Sequence, residues 1–415
     1  MLVRAGGPAE ITPTEPDTGN AGEGRPVIVT QPPSSQPNVA IIGAGAIGLA
    51  IAWRLADAGC PVNLFERGAA GRGASWAAAG MLAAGVETEP GEETLLGLTR
   101  LSQKRWPDFA RALEAASAID IGYRDEGTLV VALTRDDAEQ LHSQAAFQRG
   151  CGIALDWLDG DAARRREPHL SPRAVGALYS PLDHQVDNRR LVTALLAAIR
   201  TIGVALHEHC EAAIDIAGGR AIGVQAGDRR VAADIVIVCA GAWSRTVPGL
   251  PPAARPPVRP IKGQMLALRM DPAAPLIRHV VWMPKGYLVP RRDGRLLVGA
   301  TVEERGFDDA ITAGGVYGLL DAAWRTVPAI EELPIDEIWT GFRPGSRDDA
   351  PILGPSPIDG LVFATGHHRN GILLTPITAE TISDYVVTGR VPEAIWRFGP
   401  ARFAVPQRTT AEASA

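Results

Sequence analysis

Short apolar runs that suit buried strands alternate along the chain with segments that suit helices. The run Val39–Ile42 (VAII) is continuous and apolar, which is typical of a strand covered on both faces. A glycine-rich turn follows, then a helix predicted over residues 49–58 and a second strand over residues 62–66. A strand, a helix and a strand in such close succession predict a βαβ unit with a right-handed crossover.

The rest of the chain continues this alternation. Asp187 is a predicted N-cap, because its side chain can accept a hydrogen bond from the first turn of a helix. Two more apolar runs, over residues 235–239 and 361–364, predict buried strands of the same kind as the first. Further helices are predicted over residues 94–116, 136–149, 188–200, 314–327 and 377–387.

The positions of the buried strands predict a discontinuous domain organisation. Strands typical of a nucleotide domain recur near residues 39, 62, 235 and 361, and the blocks between them are rich in other strands. We therefore expect an α/β (α+β) fold with an inserted second domain on a mixed sheet. The predicted bounds are 38–95, 175–260 and 335–395 for the nucleotide domain, 96–174 and 261–334 for the second domain, 1–37 for a disordered extension and 396–415 for a tail.

Composition narrows the class of protein. The 415 residues carry a formal charge of −6, so no basic surface for nucleic acid or anionic lipid is indicated. The four cysteines form no CxxC pair, which favours reduced thiols and a cytoplasmic protein over a zinc or disulfide framework. No apolar run is long enough to cross a bilayer. The first 37 residues lack the apolar core of a secretion signal.

A phosphate-binding motif opens the first predicted helix. Gly43-Ala44-Gly45-Ala46-Ile47-Gly48 matches G-x-G-x-x-G, in which the glycines allow a tight turn, a close approach to a pyrophosphate and close packing of helix on strand. Glu66, at the end of the next strand, can accept hydrogen bonds from both ribose hydroxyls. The segment 71–81 (GRGASWAAAGM) is then rich in small residues, which lets the backbone lie against a large flat ligand. That segment favours FAD over a nicotinamide cofactor.

At this point the sequence resembles the D-amino-acid-oxidase family of flavoproteins. The resemblance is carried by VAIIGAGAIGLAIAWRLADAG, NLFER, GASWAAAGML, ADIVIVCAGAWS and LVFATGHHRNGILLTPITAE, which together span most of residues 38 to 390. The segments GYLVPRRDGRLLVGATVEERGFD and GFRPGSRDDAPILG make it look most like the glycine oxidases, which feed the thiazole branch of thiamine synthesis. The resemblance implies a doubly wound FAD-binding domain with an inserted substrate domain.

The resemblance also implies how the cofactor is held. Sarcosine oxidases of the family bind flavin through a cysteine in the C-terminal third, and this chain has none after Cys239. Dimethylglycine-type dehydrogenases use a histidine where this chain has Ala77, so non-covalent FAD is expected. The expected cofactor-binding residues are Gly43, Gly45, Ala46, Ile47, Gly48, Glu66, Arg67, Ser75, Ala79, Gly80, Met81, Ala240, Gly241, Gly366, His368, Arg369, Asn370, Gly371, Ile372 and Leu373.

The implied reaction is oxidation of a small amino acid, glycine first, to its imine, with dioxygen reduced to hydrogen peroxide. Arg343 matches the family's carboxylate-binding arginine, and its planar guanidinium suits a bidentate grip. Tyr287 matches a tyrosine that binds the same carboxylate, and Arg369 matches a further active-site arginine. Val302 stands where glycine oxidases can carry a methionine that lines the pocket.

Other candidates and readings stay open. His367 and His368 could act as a base, although loop histidines are more often hydrogen-bonding groups. Lys262 could assist dioxygen. A metal site at His207 and His209 would lack a third ligand. The alternatives to an oxidase are a dehydrogenase of the same fold that reduces a quinone and a flavin-bound assembly subunit without turnover. The expected partners are the amino-acid substrate and dioxygen, with a homo-oligomer, as large as a tetramer, by resemblance.

Overall fold

The computed structural model describes residues 36–404. The predicted extension 1–37 and tail 396–415 therefore lie largely outside the described residues. The α-helices are α1 Ala46–Asp57, α2 Ala74–Ala77, α3 Glu93–Ser117, α4 Arg135–Gly150, α5 Gly160–Arg166, α6 Asn188–Thr201, α7 Ala313–Thr326 and α8 Thr375–Thr388. The strands are β1 Val39–Ile42, β2 Val62–Phe65, β3 Met81–Leu82, β4 Thr128–Ala132, β5 Asp156–Asp159, β6 Gly176–Ser180, β7 His184–Gln185, β8 Ala205–His207, β9 Ala212–Ala217, β10 Arg220–Ala226, β11 Arg229–Ala232, β12 Ile235–Val238, β13 Arg259–Arg269, β14 Val280–Met283, β15 Gly286–Pro290, β16 Arg295–Gly299, β17 Ile335–Gly345, β18 Ile352–Pro355 and β19 Leu361–Thr365.

The apolar runs form a six-stranded sheet with the order β18-β19-β12-β1-β2-β8. Its strands are parallel except for β18, which pairs antiparallel with β19. All four residues of β1 are buried, as expected for a strand covered on both faces. Helices α1, α6, α8 and α3 pack together on one face. The predicted doubly wound nucleotide fold is confirmed.

Local capping explains where the sheet-covering helices begin. The Asp187 carboxylate accepts hydrogen bonds from the backbone N–H groups of Arg189 and Arg190, so α6 starts where predicted. Thr134 and Asp137 form a reciprocal capping box that starts α4. Each satisfies N–H groups that have no partner within the helix.

A second sheet has eight strands in the order β17-β13-β16-β15-β14-β4-β6-β5. Neighbours are antiparallel except for the parallel pair β14 and β4, so the sheet is mixed, as predicted. Its core includes Leu266, Val281 and Leu288, and α7 covers it with Leu319 and Ala323. A small antiparallel sheet, β11-β10-β9, packs its apolar residues with the six-stranded sheet.

Two strands depart from the predicted domain bounds. Both β6 and the long β17 fall in segments assigned to the nucleotide domain, yet both are hydrogen-bonded into the eight-stranded sheet. Arg343 lies within β17 and pairs with Ile261 of β13. Hydrogen bonds between distant segments decide the sheet to which a strand belongs. Within residues 36–404, no helix combines the length and the apolar character needed to cross a bilayer.

Candidate active site

A large cavity of about 1020 Å³ runs between the two sheets. One end meets the carboxyl ends of β1, β2 and β12, where nucleotides bind in doubly wound sheets. The other end reaches the eight-stranded sheet at Gly263, Tyr287 and Arg343. One cavity therefore joins the predicted nucleotide site to the predicted carboxylate site.

The glycine motif has the close packing that its pattern predicts. Gly43 has φ +107°, and a β-carbon there would lie 2.5 Å from the carbonyl oxygen of Cys239. A β-carbon on Gly48 would lie 2.0 Å from the carbonyl oxygen of Gly43. Gly48 itself does not line the cavity, so its part is to bring α1 against β1. Ala46 N–H, at the start of α1, donates to Ser75 Oγ at 2.9 Å.

Glu66 lies at the end of β2 and faces the same cavity. Its carboxylate accepts hydrogen bonds from the backbone N–H groups of Ala44 and Gly68, both at 3.0 Å. These bonds hold the carboxylate beside the glycine motif, where a ribose would follow a pyrophosphate. The Arg67 guanidinium lies over the Trp243 ring, 4.1 Å from its centroid, and both residues line the cavity.

The small-residue segment passes through a narrow gap between the sheets. A β-carbon on Gly341 of β17 would lie 2.3 Å from the β-carbon of Ala77, and one on Gly80 would lie 2.0 Å from the carbonyl oxygen of Val186. The buried Arg291 guanidinium donates to the carbonyl oxygen of Ala79 at 2.6 Å. Small side chains here leave room for a flat ligand, and Arg291 fixes the backbone that would lie against it.

Most of the predicted cofactor-binding residues face this cavity. Those that line it are Gly43, Gly45, Ala46, Ile47, Glu66, Arg67, Ser75, Ala79, Gly80, Met81, Ala240, Gly241, His368, Arg369, Gly371 and Ile372. Those that do not are Gly48, Gly366, Asn370 and Leu373. The Leu373 carbonyl instead accepts hydrogen bonds from Ser102 and Trp106, so it ties α3 to the segment before α8.

The residues of the cavity fit FAD. The cavity is one continuous space that is large enough for an extended dinucleotide. Along it lie the glycine motif, the Glu66 carboxylate that can accept hydrogen bonds from a ribose, and the gap lined by small residues. The helix α8 begins just after Gly371 and Ile372, so its positive end points toward this part of the cavity. Negative charge on a reduced flavin would be stabilised there.

Arg343 and Tyr287 lie together at the other end. Arg343 Nη1 donates to the carbonyl oxygen of Thr301 at 3.0 Å and to that of Lys262 at 3.4 Å. Among residues 36–404, no carboxylate forms a salt bridge or hydrogen bond with this guanidinium, which leaves donors for an acidic ligand. The Tyr287 hydroxyl donates to Met265 Sδ at 3.9 Å, and the Arg343 guanidinium lies close enough to interact with its oxygen. Burial raises the pKa of Tyr287, so its hydroxyl stays protonated and can donate.

Arg369 lines the cavity but is already paired. Its Nη2 donates to both carboxylate oxygens of Glu92 at 2.6 Å, and its Nε lies 3.0 Å from Glu87 Oε2. The predicted role at the substrate therefore competes with two carboxylates. Glu87 also lines the cavity, and no sequence motif distinguishes it from other glutamates.

Val302 is 72% exposed and lies at the rim of the cavity. Its side chain therefore leaves the opening of the cavity accessible and does not enclose the substrate site. The buried Met265, which contacts Tyr287, and the neighbouring Trp282 supply apolar surface closer to the carboxylate site. Sequence reasoning missed these two residues, because an apolar residue in a strand carries no sign of what it faces.

The remaining candidates have structural partners. His367 is buried and bonds Thr378 Oγ1 at 3.1 Å, and burial lowers its pKa to about 3. Burial likewise lowers the pKa of His368, so both are poor proton acceptors. The fully buried Lys262 donates to the carbonyl oxygen of Ala310 and does not line the cavity. In the described part of the chain no group of residues suits a metal ion, and His207 bonds Asn63 and stacks on Phe65.

The fold and the cavity define an α/β protein whose cavity, between a doubly wound sheet and a mixed sheet, fits a dinucleotide cofactor. A family model described as FAD dependent oxidoreductase (DAO) matches residues 38–385. The chain belongs to this family, and the prediction of FAD as cofactor is confirmed.

Proteins with names are similar to this chain over most of its length. The chain is 38% identical over 355 residues to the glycine oxidase of Geobacillus kaustophilus, covering 84% of this chain and 92% of the relative. It is 39% identical over 374 residues to the bifunctional protein ThiO/ThiG of Synechocystis, covering 88% of this chain but only 54%, about half, of that relative. The crystal structure of the Geobacillus kaustophilus glycine oxidase superposes with a TM-score of 0.81 at 35% identity, over 90% of this chain and all of that one. An iminodiacetate oxidase structure from Chelativorans gives 0.78 at 28% identity, over 88% and 99% of the two chains.

Proposed function

We propose that this protein oxidises glycine, and other small amino acids such as sarcosine, to the imine and passes the electrons to dioxygen, which yields hydrogen peroxide. The observation that carries the proposal is the pairing of a guanidinium that has no carboxylate hydrogen-bonded to it with a protonated phenol. Arg343 and Tyr287 lie in one cavity with the cofactor-binding residues, and among the described residues Arg343 donates only to neutral oxygens. An arginine fork and a hydroxyl donor are suited to one carboxylate.

FAD, when bound, supplies the acceptor for the hydride that leaves the substrate α-carbon. The protein's own contribution is orientation. Arg343 and Tyr287 hold the carboxylate at the end of the cavity, so that the α-carbon is directed toward the cofactor-binding segments. Met265 and Trp282 keep the space beside the carboxylate apolar and small, which favours a substrate without a bulky side chain.

Two alternatives are weighed against the oxidase. A dehydrogenase of the same fold would reduce a quinone, and an assembly subunit would bind flavin without turnover. The relatives named glycine oxidase support the oxidase. An arginine that faces a cavity without a carboxylate bound to it, as Arg343 does among the described residues, is unnecessary for a subunit that binds no substrate.

One assay separates the three possibilities. Purified flavoprotein is mixed with glycine while dioxygen consumption and hydrogen peroxide are followed together. The proposal expects equal amounts of dioxygen consumed and peroxide formed. Turnover with a quinone or dye alone would support the dehydrogenase, and an oxidised flavin in the presence of glycine, sarcosine and small D-amino acids would support the assembly subunit.

Other parts of the proposal concern how the enzyme is built and used. FAD is bound non-covalently, since Ala77 stands at one attachment position of the family and no cysteine follows Cys239. The four unpaired cysteines fit a cytoplasmic enzyme. The imine product would supply the thiazole branch of thiamine synthesis, in line with the ThiO/ThiG relative. Assembly into a homo-oligomer, as large as a tetramer, is part of the same proposal.

A further inference from the structure

The loop 85–88 carries a carboxylate into the cavity and is held unusually firmly. The fully buried Asp183 accepts hydrogen bonds from the backbone N–H groups of Gly85 and Val86, at 2.8 and 2.7 Å. Gln148 Nε2 donates to the carbonyl oxygens of Gly85, Val86 and Thr88. Buried polar groups from two separate elements therefore fix the backbone on both sides of Glu87, as a preorganised site requires.

The Glu87 carboxylate is in ionic contact with Arg369, but its Oε2 forms no hydrogen bond of good geometry among the described residues. Its side chain is 11% exposed, and its Oε2 is a buried oxygen without a hydrogen-bond partner among the described residues. Arg369 Nε is 3.0 Å away, but Arg369 directs its Nη2 donors to both oxygens of Glu92 instead. A buried oxygen that has an ion-pair partner but no hydrogen bond can still accept one from a ligand.

We propose that Glu87 accepts the proton of the substrate ammonium group, which prepares a neutral amine for oxidation. The inference rests on the function proposed above, because it takes an amino acid as the substrate. Glu87 lines the same cavity as Arg343 and Tyr287, so a carboxylate held by those two residues places its amino group within this cavity. The ammonium N–H can donate to the Glu87 oxygen that forms no hydrogen bond within the described residues.

The step balances in protons and electrons. The ammonium transfers one proton to the Glu87 carboxylate, which leaves a neutral amine and a protonated Glu87. The α-carbon then loses hydride with both electrons of its C–H bond, and the nitrogen lone pair forms the C=N bond of the iminium product. Dioxygen, the oxidant of the proposed function, takes up those two electrons and the hydride's proton. The second proton of hydrogen peroxide corresponds to the one that Glu87 removed.

The surroundings of Glu87 suit a proton acceptor at neutral pH. Burial is the largest influence and raises its pKa to about 7, while the Arg369 and Arg343 guanidinium groups lower it. Asp183 and Glu92 are the neighbouring carboxylates, and both raise it. A base is most effective when its pKa lies near the working pH. Tyr287, which faces the same group from β15, stays neutral.

The test compares Glu87→Gln with Glu92→Gln in anaerobic stopped-flow measurements of flavin reduction by glycine between pH 6 and 9. Both variants remove a carboxylate from Arg369, but only Glu87 lines the cavity. Wild type and Glu92→Gln should show a rate that rises with pH and levels off near pH 7. Glu87→Gln should lose about 100-fold at pH 7, within the usual range for a proton acceptor. Its rate should keep rising tenfold per pH unit above pH 7, because only neutral amine then reacts.

A second readout does not depend on turnover. Acetate occupies the carboxylate site without an ammonium group, so ionised Glu87 repels it. Its affinity, measured from the shift of the flavin spectrum, should fall several-fold between pH 6 and 8 in wild type and Glu92→Gln and stay constant in Glu87→Gln. Glu87→Asp keeps a carboxylate, so its rate of flavin reduction should again level off as pH rises. A merely structural role for Glu87 would not require this result.

The results distinguish a failure of the Glu87 proposal from a failure of the function proposed above. A Glu87→Gln rate that still levels off near pH 7, or a wild-type acetate affinity that ignores pH, would overturn the proposal. If glycine reduces no flavin in wild type at any pH, the function proposed above is wrong, and the acetate measurement alone decides whether Glu87 titrates beside the carboxylate site.

Discussion

The guanidinium of Arg343 occupies the space that a side chain on Gly263 would need. The two residues lie on the paired strands β17 and β13, and a β-carbon on Gly263 would be 2.6 Å from Arg343 Nη1. Strand β13 thus contributes to the carboxylate site because its residue 263 is glycine, which leaves room for the arginine. The position of the arginine depends on this gap as well as on its hydrogen bond to Thr301.

Gly263→Ala should therefore displace the guanidinium without removing it. A shift of about 1 Å in a positioning group can cost on the order of 100-fold in rate, so kcat/KM for glycine should fall by that order while FAD stays bound. Steady-state kinetics and the flavin spectrum measure the two effects. Gly314→Ala is the control, because nothing lies within 4 Å of a β-carbon there. Equal kinetics in the two variants would remove Gly263 from this account.

Arg343→Ala should raise the KM for glycine with little effect on flavin content. Removing one partner of a desolvated charge pair costs roughly 2–5 kcal/mol, which corresponds to a rise of at least about 30-fold. The measurement is the initial rate against glycine concentration. Arg347→Ala, which removes an exposed arginine that lies against Phe403, should leave KM unchanged. An unchanged KM in Arg343→Ala would exclude this residue from substrate binding.

Gly48→Ala should abolish FAD binding. The added carbon would lie 2.0 Å from the Gly43 carbonyl oxygen, a backbone atom, so α1 would have to move away from β1 and open the phosphate-binding turn. The variant should be purified colourless, as measured by absorbance of the flavin relative to protein. Gly97→Ala in α3, where a β-carbon meets nothing, should retain the yellow colour of wild type.

Arg291→Met should destabilise the protein, because Arg291, which follows β15, joins three separate segments of the chain. Its buried guanidinium donates to Gln185, Asn188 and the Ala79 carbonyl, and all three would lose a partner. The free energy of unfolding should fall by about 3–5 kcal/mol. Arg292→Met is the matched control: its side chain is 56% exposed, so its loss should cost about 1 kcal/mol or less. Urea unfolding distinguishes the two.

His367 should make stability sensitive to acid. Burial lowers its pKa to about 3 in the folded protein, so protonation is disfavoured there relative to the unfolded chain, whose histidine titrates near 6.5. Its contribution is complete above pH 6.5 and is lost as pH falls from 6.5 toward 3, by about 1.4 kcal/mol per pH unit. In urea unfolding at pH 7, 6 and 5, the free energy of unfolding should therefore fall less steeply with falling pH in His367→Gln than in wild type, by about 1.4 kcal/mol per pH unit. Parallel curves for the two proteins would contradict the assignment.

Local pattern was enough to predict the nucleotide half of the fold. The run Val39–Ile42 is buried at every position, and the glycine motif lies where a strand passes into a helix. Asp187 caps α6 because its short carboxylate reaches the next two N–H groups, which depends on neighbouring residues alone. Features of this kind are encoded within a few residues and can be identified from the sequence.

The site depends on contacts that no local pattern encodes. Sheet membership of β6 and β17 follows from pairing with strands far away in the sequence, so local pattern could not place these segments in the eight-stranded sheet. Glu87 belongs to the cavity because Asp183 and Gln148 hold its loop from distant segments. The resemblance to the family identified Arg343 and Tyr287, but only the structure shows that Arg369 is engaged by carboxylates.

The most direct measurement is an anaerobic titration of the purified protein with glycine, followed by flavin absorbance. We expect the oxidised flavin spectrum to bleach completely, and we expect dioxygen to restore it with one hydrogen peroxide formed per flavin. A flavin that remains oxidised in excess glycine and sarcosine, with Arg343 and Tyr287 intact, would contradict the account.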